Sequence, residues 1–322
     1  MRYVARLAGD DFDLALGELS GYVEARGSPS RIIDKSSKAV VFEANEGIDF
    51  TEIALVHEVC VFFGYELQDI DTASLGRRVR VEADKIPRHL VTGARDAEKR
   101  AGKMLSDNGI KVDFSSPETV MIYLTEKKNY YGKLVLRIDR NKLKMRDPGK
   151  RPYNFSGTVN AVHSRAFVNL ARVTEGEVCD PFSGSGAFLL EAGVMGLSVF
   201  GCDTSKKHFF GARRNLNHFG VKRYDLRLMD ALTIKELNKK FDGIVTDLPW
   251  GINTGARYHD KKELYGKFMN EIVPSILKKG RYAVISCDMK RMHCPQELEL
   301  VQKFALKVHE NTTRIVRVFR KS

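Results

Sequence analysis

No apolar run in this 322-residue sequence approaches the roughly 18 to 20 residues of a membrane-crossing helix. The opening Met-Arg-Tyr-Val-Ala-Arg-Leu-Ala meets Asp10 and Asp11 after only a few apolar residues, too soon for the h-region of a secretory signal. A cytoplasmic location without membrane contact is the expectation. Cysteine is scarce: Cys60, Cys179, Cys202, Cys287 and Cys294 are odd in number and form no C-x-x-C pair. Neither a disulfide framework nor a zinc site is expected, and no metal site is predicted. No low-complexity tract argues for disorder, and 43% hydrophobic with 29% charged residues is an ordinary balance for a folded chain. Two nucleotide-binding signatures are also missing. No G-x-x-x-x-G-K-[ST] run exists, which removes a P-loop, and the one glycine turn suited to a dinucleotide has Leu189 where G-x-G-x-x-G needs its last glycine.

Acidic side chains thin out in one stretch. The net charge of +12 is uneven: residues 1–126 hold 16 basic and 22 acidic residues, whereas residues 127–165 hold 11 basic residues against only Asp139 and Asp147. Such a block raises the positive potential where a phosphate backbone can lie, and Tyr130, Tyr131, Tyr153 and Phe155 fall within it as stacking or packing partners. A solvated charged surface is the other reading, and charge alone does not choose between them.

A chain of this length exceeds what one core usually reaches, so two domains are expected. Apolar spacing predicts strands over Tyr3–Leu7 and Ala39–Ala44, helices over Phe12–Ala25 and containing Ile53–Phe63, and a strand at Val79–Val81. A helix over Arg95–Ser106, stopped by Asn108-Gly109, and a strand pair at Val120–Leu124 and Lys133–Ile138 complete an α+β region. Arg146–Ser156, with Pro148, Gly149 and Pro152, reads as a linker, which divides the chain into residues 1–145, a linker at 146–158, and residues 159–322. Beyond Val159, strands at Glu177–Phe182, Ser198–Asp203, Leu226–Met229, Phe241–Asp247 and Arg281–Cys287 alternate with helices at Ala187–Met195, Ser205–Phe219 and Lys261–Leu277. That rhythm implies a parallel sheet covered on both faces. A terminal antiparallel hairpin, Leu306–Val308 and Arg314–Phe319 around Asn311, adds a reversed edge. The expected class is α/β: a C-terminal doubly wound mixed sheet preceded by an α+β domain.

Chemistry concentrates where these strands end. Cys179-Asp180-Pro181-Phe182-Ser183-Gly184-Ser185-Gly186 joins the first strand to its helix, and Gly184 and Gly186 let the backbone pass close to a ligand beside free helix N–H groups. The second strand ends at Asp203, where a carboxylate can accept both ribose hydroxyls of a nucleoside. The third ends at Met229-Asp230-Ala231, where a side chain can reach an adenine amine, and the fourth at Thr246-Asp247-Leu248-Pro249-Trp250-Gly251. Any one of these can be an ordinary strand-end acid. Four in register at one sheet edge are harder to attribute to chance.

The Asp180-Pro-Phe-Ser-Gly-Ser-Gly segment resembles the first motif of class I S-adenosylmethionine methyltransferases, and Asp247-Leu-Pro-Trp resembles the [DN]-P-P-[YF] motif of enzymes that methylate exocyclic amines of bases. Nearly the whole chain is similar to the archaeal and eukaryotic tRNA guanine-N(2) methyltransferases acting at tRNA position 10, built as a THUMP domain followed by a class I methyltransferase domain, with residues 1 to about 60 matching only loosely. Asp139-Arg140, Arg146-Asp147-Pro148 and Arg151-Pro152-Tyr153 resemble the end of the THUMP region and its linker, and Ser164-Arg165-Ala166-Phe167-Val168-Asn169-Leu170-Ala171 resembles the helix that helps enclose the cofactor. The chain departs from the family pattern at Ser183, Ser185 and Trp250; the last keeps a stacking face and loses a phenolic hydrogen bond.

This resemblance implies S-adenosylmethionine as cofactor, held by Asp180, Pro181, Phe182, Ser183, Gly184, Gly186, Asp203, Asp230 and Ala231. It implies Asp247, Pro249 and Trp250 as catalytic residues, and tRNA as substrate, contacted by Arg95, Lys99, Arg140, Arg146 and Arg151. A small zinc-binding activator subunit, required by some relatives, is a further implied partner. Guanine's amine is conjugated into its ring and is a poor nucleophile. A carboxylate at Asp247 can accept one N–H and a backbone carbonyl near Leu248 or Pro249 the other, aiming the lone pair at the methyl donor, with Trp250 stacked on the everted base. The alternatives are the same chemistry on another tRNA guanine or on rRNA, an inactive RNA-binding protein of the same fold, and a DNA adenine methyltransferase, to which the tRNA-binding N-terminal region fits worse.

Overall fold

The computed structural model describes residues 1–8, 11–91, 93–250, 261–290, 292–309 and 312–322. Its contacts divide the chain into one unit of residues 1–51 and 55–139 and a second of residues 52–54 and 140–322. In the first unit, β1 (Arg2–Leu7), β2 (Arg31–Ser36), β3 (Ala39–Glu43), β4 (Val56–Gly64), β5 (Arg78–Ile86), β6 (Lys111–Val112), β7 (Thr119–Thr125) and β8 (Asn129–Arg137) form one mixed sheet in the order β2-β3-β1-β4-β8-β7-β5-β6. Two helices, α1 (Phe12–Ala25) and α2 (Ala94–Asp107), accompany it. α2 buries Ala97, Ala101 and Leu105 at helical spacing and ends at Asn108, followed by Gly109 with φ of 78°.

The helix expected around Ile53–Phe63 is instead β4, a central strand paired antiparallel with β1 on one side and β8 on the other. Its apolar residues also satisfy helical spacing, but Val56, Val59 and Val61 are β-branched and pack better on a pleated surface. The polar edge strand β2 escaped the sequence reading because Arg31-Ile-Ile-Asp-Lys-Ser carries too little apolar alternation.

In the second unit, α3 (Arg140–Lys144) and α4 (Ala161–Leu170) precede β9 (Glu177–Asp180), α5 (Ala187–Val194), β10 (Ser198–Asp203), α6 (Lys206–His218), β11 (Tyr224–Leu228) and β12 (Phe241–Asp247). Then come α7 (Lys261–Lys267), a π turn at Phe268–Ile272, α8 (Val273–Ile276), β13 (Leu277–Cys287), β14 (Leu298–His309) and β15 (Thr312–Lys321). The sheet order is β11-β10-β9-β12-β13-β15-β14, the first five strands parallel and β15 antiparallel to both of its neighbours. This is the open, doubly wound sheet that the sequence predicts, but the reversed strand, β15, lies between β13 and β14 and is not the edge expected. Strand order turns back between β9 and β12, which fixes where a ligand crevice opens. The helix expected over Lys261–Leu277 is broken: Pro274 cannot donate an amide hydrogen, the turn before it widens to π geometry, and Leu277 already belongs to β13. The closing hairpin is longer than expected, and Asn311 at its turn lies outside the described residues.

Residues 146–158, read from the sequence as a linker, fall within the second unit. Arg146 makes paired hydrogen bonds of 2.8 and 2.9 Å to the fully buried Glu191 of α5, and Arg165 of α4 grips the same carboxylate. Tyr153 lies over Gly211, and its backbone is held from both sides by the Asn215 amide. Aromatic and paired-charge burial outweighs the turn-forming composition of this stretch.

Candidate active site at the strand ends

Asp180 closes β9, only 1% exposed. Its Oδ1 accepts from the Phe182 amide and, at 2.7 Å, from the Thr246 hydroxyl of the neighbouring strand β12. That bond ties the glycine turn to the strand that ends at Asp247. Burial, reinforced by the charges of Asp203 and Asp247 and opposed by those hydrogen bonds, pushes the Asp180 carboxyl up to about 7.

A carboxyl raised this far above its ordinary 3.8 favours the folded state when protonated, so its contribution is complete below about pH 4 and is lost as pH rises through about 7. Asp180→Asn, neutral throughout, should therefore gain on the wild type by a few kcal/mol (order of magnitude) between pH 4 and pH 8 in urea unfolding. Parallel pH profiles for the two proteins would contradict the assignment.

The turn after Asp180 is held open by backbone geometry. Gly184 and Gly186 have φ of 49° and 77°. A Cβ on Gly184 would meet the Phe155 ring at 3.0 Å, and one on Gly186 would press on Ala212 at 3.2 Å. Ser183 donates both its amide and its hydroxyl to the Cys202 carbonyl, and the Cys202 thiol donates to the Pro181 carbonyl, so loop and β10 are stitched together. Phe182 turns onto Phe268 with ring centroids 5.1 Å apart.

Asp203, at the tip of β10, accepts from the Gly184 amide at 3.0 Å and the Ser205 amide at 2.8 Å, with the His208 imidazole 3.3 Å away. Asp230 follows β11, accepts from the Leu232 amide and caps the turn that begins at the buried Ala231. The carboxylates of Asp180, Asp203, Asp230 and Asp247 thus gather at the carboxyl ends of four adjacent parallel strands around the switch point. With two left-handed glycines beside them, they form a cradle suited to a nucleoside cofactor.

Asp247 ends β12 with its side chain 19% exposed. Its Oδ1 accepts from the Ser286 hydroxyl at 2.5 Å and from the Trp250 indole at 3.2 Å, and its Oδ2 pairs with the Arg314 guanidinium at 3.0 Å. Burial pushes this carboxyl above its ordinary value, against the lowering by Arg314. Arg314 also lies over the Trp250 ring, 4.8 Å from its centroid. The Pro249 carbonyl accepts from the Tyr265 hydroxyl at 2.7 Å, whereas the Leu248 carbonyl meets no partner among the described residues. Of the two carbonyls the sequence left open, that of Pro249 is already engaged. Gly251, the end of the motif, lies outside the described residues.

The residues assigned to RNA separate. Arg95 and Lys99 are exposed on α2 in the first unit, and Arg140 is half-buried at the start of α3. Arg146 and Arg151 need correcting as RNA contacts: Arg146 is committed to Glu191, and Arg151 is 7% exposed with its Nε donating to the Arg146 carbonyl. A guanidinium turned into the protein is removed from a phosphate backbone. Sequence reading also missed Arg314, Ser286 and Tyr265, and it named Phe155 only as a partner within the basic block, not beside Gly184. Only Arg314 carried a signal, as a charge inside a strand that must find a partner when buried. Among the described residues no group of His, Cys, Asp and Glu is arranged to hold a metal ion, and no helix is long and apolar enough to cross a membrane.

Comparison with known proteins fits this geometry. Residues 148–315 match the UPF0020 family model, described as RMKL-like, methyltransferase domain. The tRNA (guanine(10)-N2)-dimethyltransferase of Methanothermobacter thermautotrophicus is 26% identical over 335 residues, covering 99% of each chain. The enzyme of the same name from Pyrococcus abyssi is 32% identical over 225 residues, covering 68% of this chain and 67% of its own. Among solved structures, TrmN from Thermus thermophilus superposes with a TM-score of 0.53 at 18% identity over the full length of both chains, a likeness of fold.

Proposed function

We propose, since this chain belongs to the UPF0020 family of RMKL-like methyltransferase domains, that it transfers methyl groups from S-adenosylmethionine to the N2 amine of guanine 10 in tRNA. One observation carries the reading: a buried, hydrogen-bonded carboxylate, Asp247, stands at the end of the strand that Thr246 fastens to the Asp180 turn. When bound, S-adenosylmethionine supplies an electrophilic methyl group whose sulfur departs neutral. The chain itself has only to bind the donor, orient the amine and take up one proton.

For the donor, the left-handed glycines at 184 and 186 let the turn fold closely against Phe155 and Ala212, and Asp203 and Asp230 offer carboxylates to ribose and adenine. For the acceptor, Asp247 Oδ1 takes one N–H of the guanine amine, displacing the Trp250 indole, and the Leu248 carbonyl takes the other. The nitrogen is drawn toward sp3 geometry with its lone pair directed at the methyl group. Burial raises the proton affinity of Asp247, which suits it to receive the proton that the methylated amine gives up. Trp250, once released, offers its face to the everted base. A second methyl follows at the same amine, as the names of the relatives suggest, because one N–H remains to bond Asp247 after the first.

The first unit, proposed to carry the THUMP-like region, presents Arg95 and Lys99 to the tRNA. The site of action is proposed to be the cytoplasm. The test is mass spectrometry of nucleosides from unmodified tRNA incubated with the purified chain and S-adenosylmethionine, followed by mapping of the product. Dimethylated guanosine at position 10 is the expected result. Methylation of a different guanine, at tRNA position 6 or in rRNA, would overturn the site. Activity appearing only when a small zinc-binding subunit is added would make that subunit a required partner.

A further inference from the structure

From Thr204 to Tyr224 the sequence holds no acidic residue and six basic ones: Lys206, Lys207, Arg213, Arg214, Lys222 and Arg223. Helix α6 occupies most of that stretch, and its inner face is fixed on the cofactor turn. The Tyr153 ring lies against Gly211, Ala212 against Gly186, and the buried Asn215 amide donates to the Ser185 carbonyl. The outer face is therefore held in place too. At about 100° per residue, Lys206, Arg213, Phe210, Arg214 and Lys207 fall within an arc of roughly 120°, with Phe210 near its middle. All five are exposed.

Elsewhere in this unit exposed lysines meet acids, as Lys235 does Glu271, Lys267 does Glu263 and Lys278 does Asp242. Among the described residues none of the four cations of α6 forms an ion pair with an acid. Two of them, Lys206 and Lys207, sit in the first turn, where the helix dipole disfavours positive charge. A stripe of unpaired like charge, part of it at the wrong helix end, opposes the helix's own stability and attracts an anion. Phe210 is 52% exposed, braced by Phe209 at 5.2 Å between ring centroids and flanked by the Arg213 guanidinium at 5.1 Å.

We propose that this face of α6 docks RNA, with Lys206, Lys207, Arg213 and Arg214 against backbone phosphates and Phe210 stacked on an unpaired base. The proposal rests on the tRNA reading above and adds a contact surface to it. An acidic protein would match the cations but leave the central exposed phenyl unused. A nucleic acid strand supplies both alternating phosphates and flat bases. The two pairs of cations lie about 10 Å apart along the axis, so they can meet separate phosphates on either side of a base at Phe210. The helix begins three residues after Asp203, so a strand lying on it passes the rim of the cofactor cradle.

The test uses the full chain and unmodified tRNA, with affinity measured by fluorescence anisotropy over a salt series, for the wild type, Lys206→Gln/Lys207→Gln, Arg213→Gln/Arg214→Gln and Phe210→Ala. Each double variant should bind tRNA about tenfold more weakly at low salt and lower the slope of log affinity against log salt by about 1 to 2. Phe210→Ala should weaken binding about tenfold with the slope unchanged. S-adenosylhomocysteine affinity by calorimetry should stay at the wild-type value, and thermal melting should not fall, rising slightly in Lys206→Gln/Lys207→Gln, where positive charge leaves the first turn of the helix. Wild-type tRNA affinity and slope in all three variants would overturn the surface while leaving the substrate reading intact. A wild-type protein that binds no tRNA would overturn both.

Discussion

Asp247→Ala is expected to reduce kcat for methyl transfer to tRNA on the order of 10³-fold while S-adenosylhomocysteine still binds with near wild-type affinity. The size follows from the work assigned to one carboxylate. Guanine's exocyclic nitrogen carries little lone-pair density until its hydrogens are engaged by fixed acceptors, and among the described residues Asp247 is the charged acceptor at its strand end. It is held by Ser286 and Arg314, so only the Trp250 indole has to give way when the amine arrives. Donor binding depends on other groups, the Asp180 turn and Asp203, which is why the two readouts should part. Removing Asp247 also strands the Arg314 guanidinium, 10% exposed, so Asp247→Asn serves as the isosteric control. The amide keeps an oxygen that can accept but loses the charge, and an intermediate kcat is expected. Undiminished single-turnover methylation by Asp247→Ala would remove the carboxylate from the mechanism and leave the enzyme class standing.

Much of this site is legible in the residues because strand ends advertise themselves. The turn at Asp180, the acids at Asp203 and Asp230 and the Asp247 segment each follow an apolar run at the same edge of one sheet, and periodicity alone brings them together. Less visible is whatever depends on pairing across long sequence separation. Arg314 reaches Asp247 only because β15 inserts antiparallel beside β13, facing Ile315 with Cys287 and Val316 with Ser286. No local pattern encodes that register. The basic block at 127–165 misled in the opposite sense. Arg146 looks like a solvent-facing cation until the helix carrying Glu191 is packed beside it, after which a buried carboxylate claims it. The error at β4 has a similar origin, since a short β-branched run satisfies both periods and only its partners β1 and β8 decide.

Arg314→Met should move the acidic limb of the kcat/KM profile upward by about 1 to 3 pH units. The direction follows from the groups that face Asp247. Arg314 on β15 is the cation of the set; Ser286 on β13 and the Trp250 indole donate hydrogen bonds; Asp180 on β9, raised to about 7, is largely neutral over the acidic limb; Tyr265 on α7 stands nearby as a neutral phenol. Burial already lifts the Asp247 carboxyl, and Arg314 is the largest opposing influence. Without the guanidinium the carboxyl rises further, so more of it is protonated at any given acidic pH, and the protonated form has lost the charge that engages the amine's hydrogen and the capacity to take up its proton. The variant should therefore lose most activity at the acidic end of the profile and recover toward the wild type as pH rises. Arg314→Lys keeps the charge but not the planar fork that lies against Trp250, so its limb should move less while its KM for tRNA rises. A loss of equal size at every pH would mean that Arg314 serves only to pack the edge strand. A limb that moves with pH ties a residue 67 positions away to the protonation state of the amine's acceptor.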